Sequence, residues 1–176
     1  MANTKNTIPE LINNFNVYKG GNALIGMSGE VALAEFQALT DTLSGPGILG
    51  EIETVVVGAF SAMQQEIPFR ILDDDIFSLA NPLEVQELTL RASEQSTIKS
   101  TGNISFKGMR VVFRGRPKGF VPGTVKQGAQ MGASVTLELV YILIEIDGSR
   151  KLELDKLNNV YKINDVDILA EIKRHC

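Results

Sequence analysis

Apolar and polar side chains alternate with a period of two residues in the carboxyl-terminal half of the chain. In the segment 109–116, Met109, Val111 and Phe113 fall on one face of an extended chain, and the opposite face begins with Arg110. This period is that of a β-strand with one buried face and does not suit a helix. The segment therefore predicts a half-buried strand.

A second alternating segment, 134–146, is followed by Asp147-Gly148, a pair that favours the tight turn of an antiparallel hairpin. From Val140 onward both faces of this segment are apolar. A strand of this kind enters two environments, such as a barrel wall and then the core between two sheets. One face is expected to hold Val135, Leu137, Leu139, Tyr141 and Leu143.

Shorter patterns complete the expected architecture. Strands are predicted over 29–36, 51–60, 66–72 and 83–92, and the hairpin returns through 151–163. Asp73, Asp74 and Asp75 place negative charge before a helix of about two turns, where the helix dipole favours it. A terminal helix is expected over 166–174, capped by Asn164 or Asp165. The prediction is a mainly β fold, antiparallel, with two short flanking helices.

Composition limits the chain to one domain over residues 1–176. It has 44% hydrophobic residues and one cysteine, which cannot form an internal disulfide. The longest apolar run is six residues, 139–144, whereas a membrane helix needs roughly 18. The amino-terminal stretch 1–14 lacks the apolar core of a secretory signal. We expect a protein of a cytosol-like compartment, or one exported by another route, with no membrane partner.

The two halves of the chain carry opposite charge. Residues 1–88 hold 3 basic and 12 acidic side chains, whereas residues 89–176 hold 14 basic and 9 acidic ones. No acidic residue lies between Glu94 and Glu138, an interval with seven Lys and Arg that we call the basic block. Three interpretations are open: head-to-tail self-association between opposite surfaces, nucleic-acid binding, or a solvated surface. The first is favoured because the chain as a whole is acidic.

Motifs for catalysis or cofactor binding do not find a supporting context. Residues 45–50 match G-x-G-x-x-G, but a strand follows where a dinucleotide site needs a helix. The three consecutive aspartates diverge on a helix and suit capping better than a Mg²⁺ or Ca²⁺ site. Glu138 and Glu145 lie seven residues apart on one strand and so face opposite sides. We expect no enzyme, no cofactor and no metal.

The order of these residues resembles a known family, the major tail tube proteins of contractile-tailed bacteriophages and phage-tail-like bacteriocins. The resemblance spans nearly the whole chain. It is densest in 112–118, Gly123, 126–128, 135–148 and 161–167, with support from 14–18, 29–33 and 45–50. It is loose over 83–105, and Asn164-Asp165 stands where the family usually has Asn-Gly.

The resemblance implies an antiparallel β-sandwich or partial barrel that assembles with itself. Hexameric rings would stack into a hollow tube inside a contractile sheath, a conduit for DNA during ejection. Implied partners are the tail sheath, baseplate, tail terminator and tape measure proteins, and DNA in the lumen. The subunit would be assembled in the bacterial host cytoplasm and belong to a virion or a headless particle. Type VI secretion and extracellular injection systems have related tube proteins.

A shared inner barrel of 24 strands, four from each subunit, is also implied. Strands spaced about 4.8 Å apart and tilted about 40° give a backbone diameter of about 48 Å. Side chains leave roughly 38 Å, enough for duplex DNA of about 20 Å. A lumen lined by polar, preferably acidic groups would let the phosphates pass.

Three groups of residues follow from this assembly. The candidates for the lumen are polar positions on strands assigned to the barrel: Glu30, Glu51, Glu53, Ser134, Thr136 and Glu138. Candidates for contacts between subunits are Arg110, Arg114, Arg116, Lys118, Asp73, Asp74 and Asp75. If Arg110 and Arg114 face the lumen instead, glutamates must neutralise them. The flexible loop 37–50, with Ser44, Gly45, Pro46, Gly47 and Gly50, is expected to join successive rings.

Overall fold

The computed structural model describes residues 6–176, so the first five residues of the stretch examined for a signal lie outside it. Eleven strands and two helices are described there. They are β1 Thr7–Lys19, β2 Asn22–Ala23, β3 Ala38–Leu43, β4 Ile52–Phe60, β5 Gln64–Phe69, α1 Asp74–Leu79, β6 Gln86–Ile98, β7 Ile104–Val121, β8 Ala133–Ile146, β9 Ser149–Asp155, β10 Val160–Ile163, β11 Val166–Asp167 and α2 Ala170–His175.

One antiparallel sheet holds nine of these strands, in the order β11-β10-β9-β8-β7-β6-β1-β2, with β5 paired to the first half of β8. Strands β3 and β4 form a separate two-stranded sheet. Within the described residues the nine strands do not close into a barrel. The prediction of a mainly antiparallel β fold with two short helices is confirmed.

The core lies against one face of the large sheet. It receives Val111 and Phe113 from β7, Leu137 from β8 and the two buried residues of α1, Ile76 and Leu79. Helix α1 begins as expected, because the Asp73 side chain accepts a hydrogen bond from the backbone N–H of Ile76 at 3.2 Å. The opposite face of the strands β5 to β9 is called the polar face below.

A bulge in β8 reverses its two faces. Arg114 pairs with Tyr141, and the next residue, Gly115, pairs with Leu139, so Val140 is an extra residue. Ile142 therefore enters the core, whereas Tyr141 and Leu143 lie on the polar face. The expectation that these two share a face with Leu139 is wrong. Gly115 permits the bulge, since a Cβ there would lie 2.5 Å from the carbonyl oxygen of Glu138.

The predicted strand over 29–36 is not a strand. Two of its backbone groups bind a side chain of β5: Gln65, fully buried, accepts from the Ala34 N–H at 3.0 Å and donates to the Ala32 carbonyl at 2.7 Å. The Gln65 carboxamide thus takes the place of a ladder of backbone hydrogen bonds. Alternation alone could not reveal this substitution.

The end of the chain also differs from the prediction. Asn164 and Asp165 have φ of 50° and 63° and form the turn between β10 and β11, so they do not cap a helix. Helix α2 starts only at Ala170, not at residue 165 or 166. The predicted return strand is likewise divided into β9 and β10. The Asp147-Gly148 hairpin is confirmed, with φ of 52° and 72°.

Candidate assembly surfaces

The hairpin β3–β4, which we call the arm, exposes apolar side chains on both faces. Val55, Val56 and Val57 are consecutive in β4, so they alternate between its faces, and all three are exposed. Leu39, Leu43 and Ile52 add to this surface. A two-stranded hairpin is marginally stable in water, and contiguous exposed apolar patches mark interaction sites. The arm therefore has the properties of a surface that another molecule covers.

The base of the arm is anchored to the main sheet. The Phe60 ring packs edge-on against Tyr161, with centroids 5.1 Å apart, and against Phe36 at 6.4 Å. Lys156 donates from Nζ to the Ser61 carbonyl at 2.9 Å, and burial lowers the pKa of this lysine. Packing thus positions the residues at the base of the arm, and the remainder of the arm extends away from the core.

The arm is shorter in its irregular part than the predicted loop 37–50. Ala38–Leu43 forms β3, which pairs with β4 from Leu43↔Ile52 to Ala38↔Phe60. The connection at the tip consists of residues 44–51, which include Ser44, Gly45, Pro46, Gly47 and Gly50, and Leu49 is fully exposed there.

Two candidates for the lumen are also on the arm. Glu51 precedes β4, and Glu53 accepts a hydrogen bond from Thr40 Oγ1 at 2.6 Å.

The polar face brings together residues that were assigned to two different surfaces. Thr136 and Glu138 of β8, candidates for the lumen, lie on the same side of the sheet as Arg110, Arg114 and Arg116 of β7, candidates for contacts between subunits. Arg116 is the register partner of Glu138, and Lys118 lies 3.4 Å from the Glu138 carboxylate. One face therefore carries both groups.

Charge pairs cross this face from strand to strand. Arg110 Nη1 lies 3.0 Å from Glu145 Oε2, and Arg114 Nε lies 3.5 Å from Glu87 Oε2. The Arg114 guanidinium also stacks over the Tyr141 ring, 4.0 Å from its centroid. Burial, and then the neighbouring Glu153, raise the pKa of Tyr141, so its hydroxyl is neutral at physiological pH. Arg110 and Arg114 thus each lie next to a carboxylate of the same chain.

The remaining candidates lie elsewhere. Ser134 has the register of the polar face but is only 5% exposed. Glu30 is in the extended segment before β3 and lines an apolar groove of about 310 Å³ with Ile12 and Met109. Asp73, Asp74 and Asp75 begin α1, on the core side of the sheet.

Sequence reasoning missed the edge of β1. Along one edge β1 pairs with β6, but along the other its strand partner within the described residues is β2, at Tyr18 and Lys19 alone. The unpaired part exposes Ile8, Leu11 and Ile12. Open edges with apolar side chains pair with other strands. In the sequence, the three apolar residues within 8–12 could have predicted this exposed edge.

Comparison with known proteins shows the family of the chain. A family described as phage tail tube protein FII matches residues 9–176. The chain belongs to this family. It is also similar to the tail tube protein of Escherichia phage P2, with 24% identity over 169 residues, 96% of this chain and 97% of that protein.

The resemblance seen in the sequence is thereby confirmed. The chain is a structural subunit of a phage tail tube and a component of the virion. Membership of this family implies that the chain assembles with itself into a tube. Neither of the two described helices has the length and hydropathy needed to cross a bilayer.

Proposed function

We propose that this tail tube protein assembles as hexameric rings that stack into the tube of a contractile tail, with no catalytic role. The observation that carries the proposal is the apolar surface of the arm, a hairpin that is exposed on both faces and is anchored at its base within residues 6–176. Such a surface is unfavourable in an isolated subunit. Identical copies can cover it repeatedly along an open stack.

Lateral contacts within a ring are assigned to strand edges. The open edge of β1 offers backbone groups to a neighbouring subunit, as a shared barrel requires. We assign the polar face, with Thr136 and Glu138, to the lumen through which DNA passes. Because Arg110 and Arg114 lie on that face beside glutamates, we assign them there too, neutralised, and no longer to contacts between subunits.

Contacts along the tube are assigned to the arm. Its tip, residues 44–51, would dock on the next ring and become ordered there. The outer surface would meet the sheath, and the tube ends would meet the baseplate and terminator proteins. The tape measure protein and then DNA would occupy the lumen. The particle would be an infectious virion or a headless bacteriocin.

Replacing residues 44–51 by Asn-Gly tests the stacking role. This change closes β3 and β4 with a two-residue turn that suits antiparallel strands, so the arm keeps its register from Leu43↔Ile52. We expect a subunit with an unchanged melting temperature that no longer forms tubes under negative-stain microscopy, whereas the unaltered chain does.

Size exclusion separates the ring contacts from the stacking contacts in the same experiment. Rings without tubes would locate the stacking function in the tip. Tubes of normal length from the variant would contradict that role. An unaltered chain that stays monomeric at high concentration would contradict the proposed assembly itself.

A further inference from the structure

The basic block of the sequence is largely one strand, β7, placed between two strands that carry acidic side chains. Each of its strand-borne cations faces a carboxylate on β6 or β8. By register or ion pair, these are Lys107 with Glu94, Arg110 with Glu145, Arg114 with Glu87, and both Arg116 and Lys118 with Glu138. The carboxylates come from outside the block, so the local sequence does not reveal them.

Three of these carboxylates sit against cations on the polar face. The ion pairs measure 3.0 Å for Arg110–Glu145, 3.5 Å for Arg114–Glu87 and 3.4 Å for Lys118–Glu138. Glu138 is further held by its other oxygen, which accepts from the Met63 backbone N–H at 3.1 Å. The cross-strand register therefore keeps each negative charge next to a positive one.

Stability is a weak explanation for this arrangement. The cations are between 41% and 51% exposed, and ion pairs at exposed positions contribute little to folding. Their effect on the electrostatic field is larger, because a carboxylate within 4 Å of a cation weakens the attraction of that cation for a phosphate. Clustered Lys and Arg without such partners bind DNA by releasing counterions from its backbone.

We propose that Glu87, Glu138 and Glu145 mask the cations of β7 from phosphate, so that the polar face does not hold DNA. The inference rests on the proposed function for its purpose, since a face that lines a conduit must let DNA pass. It can be tested on the unassembled subunit. Its failure is therefore distinguishable from failure of the tube proposal, which is read from microscopy.

The triple variant Glu87→Gln, Glu138→Gln, Glu145→Gln tests the mask. Glutamine keeps the size of each side chain, and the amide oxygen at 138 can still accept from Met63. Binding of a fluorescein-labelled 20-base-pair duplex is measured by anisotropy across a salt series. We expect affinity at low salt to rise at least about 10-fold, and the salt slope to steepen by about 2.7, the value for three added phosphate contacts.

A charge-matched control separates masking from net charge. Glu35, Glu66 and Glu84 are exposed and have no ion-pair partner within residues 6–176. Their triple change to Gln alters the net charge equally and leaves the β7 cations paired. We expect binding close to that of the unaltered protein. An equal gain in this control would overturn the proposal.

A second variant keeps the test informative if the first gains affinity by misfolding. The sixfold variant adds Arg110→Gln, Arg114→Gln and Lys118→Gln to the triple glutamate variant. It should bind DNA no more tightly than the unaltered protein does. Persistent binding in this sixfold variant would assign the affinity to other groups and contradict masking. No gain in a triple variant with an unchanged circular dichroism spectrum would also contradict it.

Discussion

The central strand β7 and the arm strand β4 both contain consecutive valines but have opposite surroundings. Val111 of β7 is 0% exposed, whereas Val57 of β4 is 53% exposed. Strand β7 pairs with a neighbour on each side, and carboxylates of those neighbours lie next to its cations. Strand β4 pairs with β3 and is bare on both faces.

This difference separates what one chain satisfies by itself from what it leaves for its copies. The sheet around β7 buries its apolar face and places carboxylates of the same chain beside the cations of its polar face. The arm satisfies its backbone hydrogen bonds in part and its apolar surface hardly at all. Substitutions in β7 should therefore act on the free energy of unfolding, and substitutions in the arm should act on assembly.

The largest expected effect is that of Phe113→Ala. Phe113 is fully buried in the core, and removing its ring should lower the free energy of unfolding by about 4 kcal/mol. Phe106, on the same strand, is 63% exposed and is the matched control. Phe106→Ala should cost less than about 0.5 kcal/mol. Urea unfolding of both variants measures the difference, and equal losses would show that β7 is not the centre of the core.

Replacing a valine by alanine in β7 and in the arm should change the free energy of unfolding by an intermediate amount in β7 and very little in the arm. Val111→Ala should lower the free energy of unfolding by about 2 kcal/mol because it removes buried methyl groups. Val57→Ala should change it by less than about 0.5 kcal/mol, yet raise the protein concentration needed for tubes. Urea unfolding and turbidity or microscopy of assembly report the two quantities. If Val57→Ala destabilised the subunit as strongly, the arm would belong to the core.

The smallest effect concerns the hydrogen bonds of Asp167 near the end of the chain, which position Leu169 against the base of the arm. Asp167 accepts hydrogen bonds from Lys173 Nζ at 3.0 Å and from the Leu169 N–H, which lower its pKa below the ordinary 3.8. Leu169 packs over Gly58 of β4. A carboxyl with a lower pKa in the folded state stabilises it above pH 3.8, and this contribution disappears as pH falls through the lowered pKa.

Thermal melts between pH 5 and pH 2 test this contact. Asp167→Asn should lose a small part of the melting temperature at pH 5 and match the unaltered chain near pH 2. Glu84→Gln, a change of equal charge on a distant loop, should leave the difference between the two pH values unchanged. An Asp167→Asn profile parallel to that of the unaltered protein would exclude the contribution.

Local patterns predicted those elements whose cause is local. The two-residue period predicted β7 and β8, because one face of each packs on the core, as at Val111 and Phe113 in β7 and at Val135 and Leu137 in β8. Asp147-Gly148 predicted its hairpin, because both residues tolerate the positive φ that the turn requires. Asp73 predicted the start of α1 for a similar reason, since its partner is three residues away.

Patterns that depend on distant residues were misread. The alternating segment 29–36 is not a strand, because the buried carboxamide of Gln65 satisfies its backbone in place of a neighbouring strand. The faces of β8 reverse at Val140, because β7 accommodates a bulge there with Gly115. Asn164 and Asp165 suit both a cap and a turn, and pairing of β10 with β11 selects the turn.

By itself, the sequence determined the strand-rich fold and, through its resemblance to a family, the tail tube function. Only the tertiary structure decided which charges lie next to one another on the polar face. Arg110 and Glu145 are 35 residues apart, and sheet register brings them within hydrogen-bond distance. A block with no acidic residue thus lies among carboxylates in the folded sheet, because antiparallel pairing selects neighbours across strands and not along the chain.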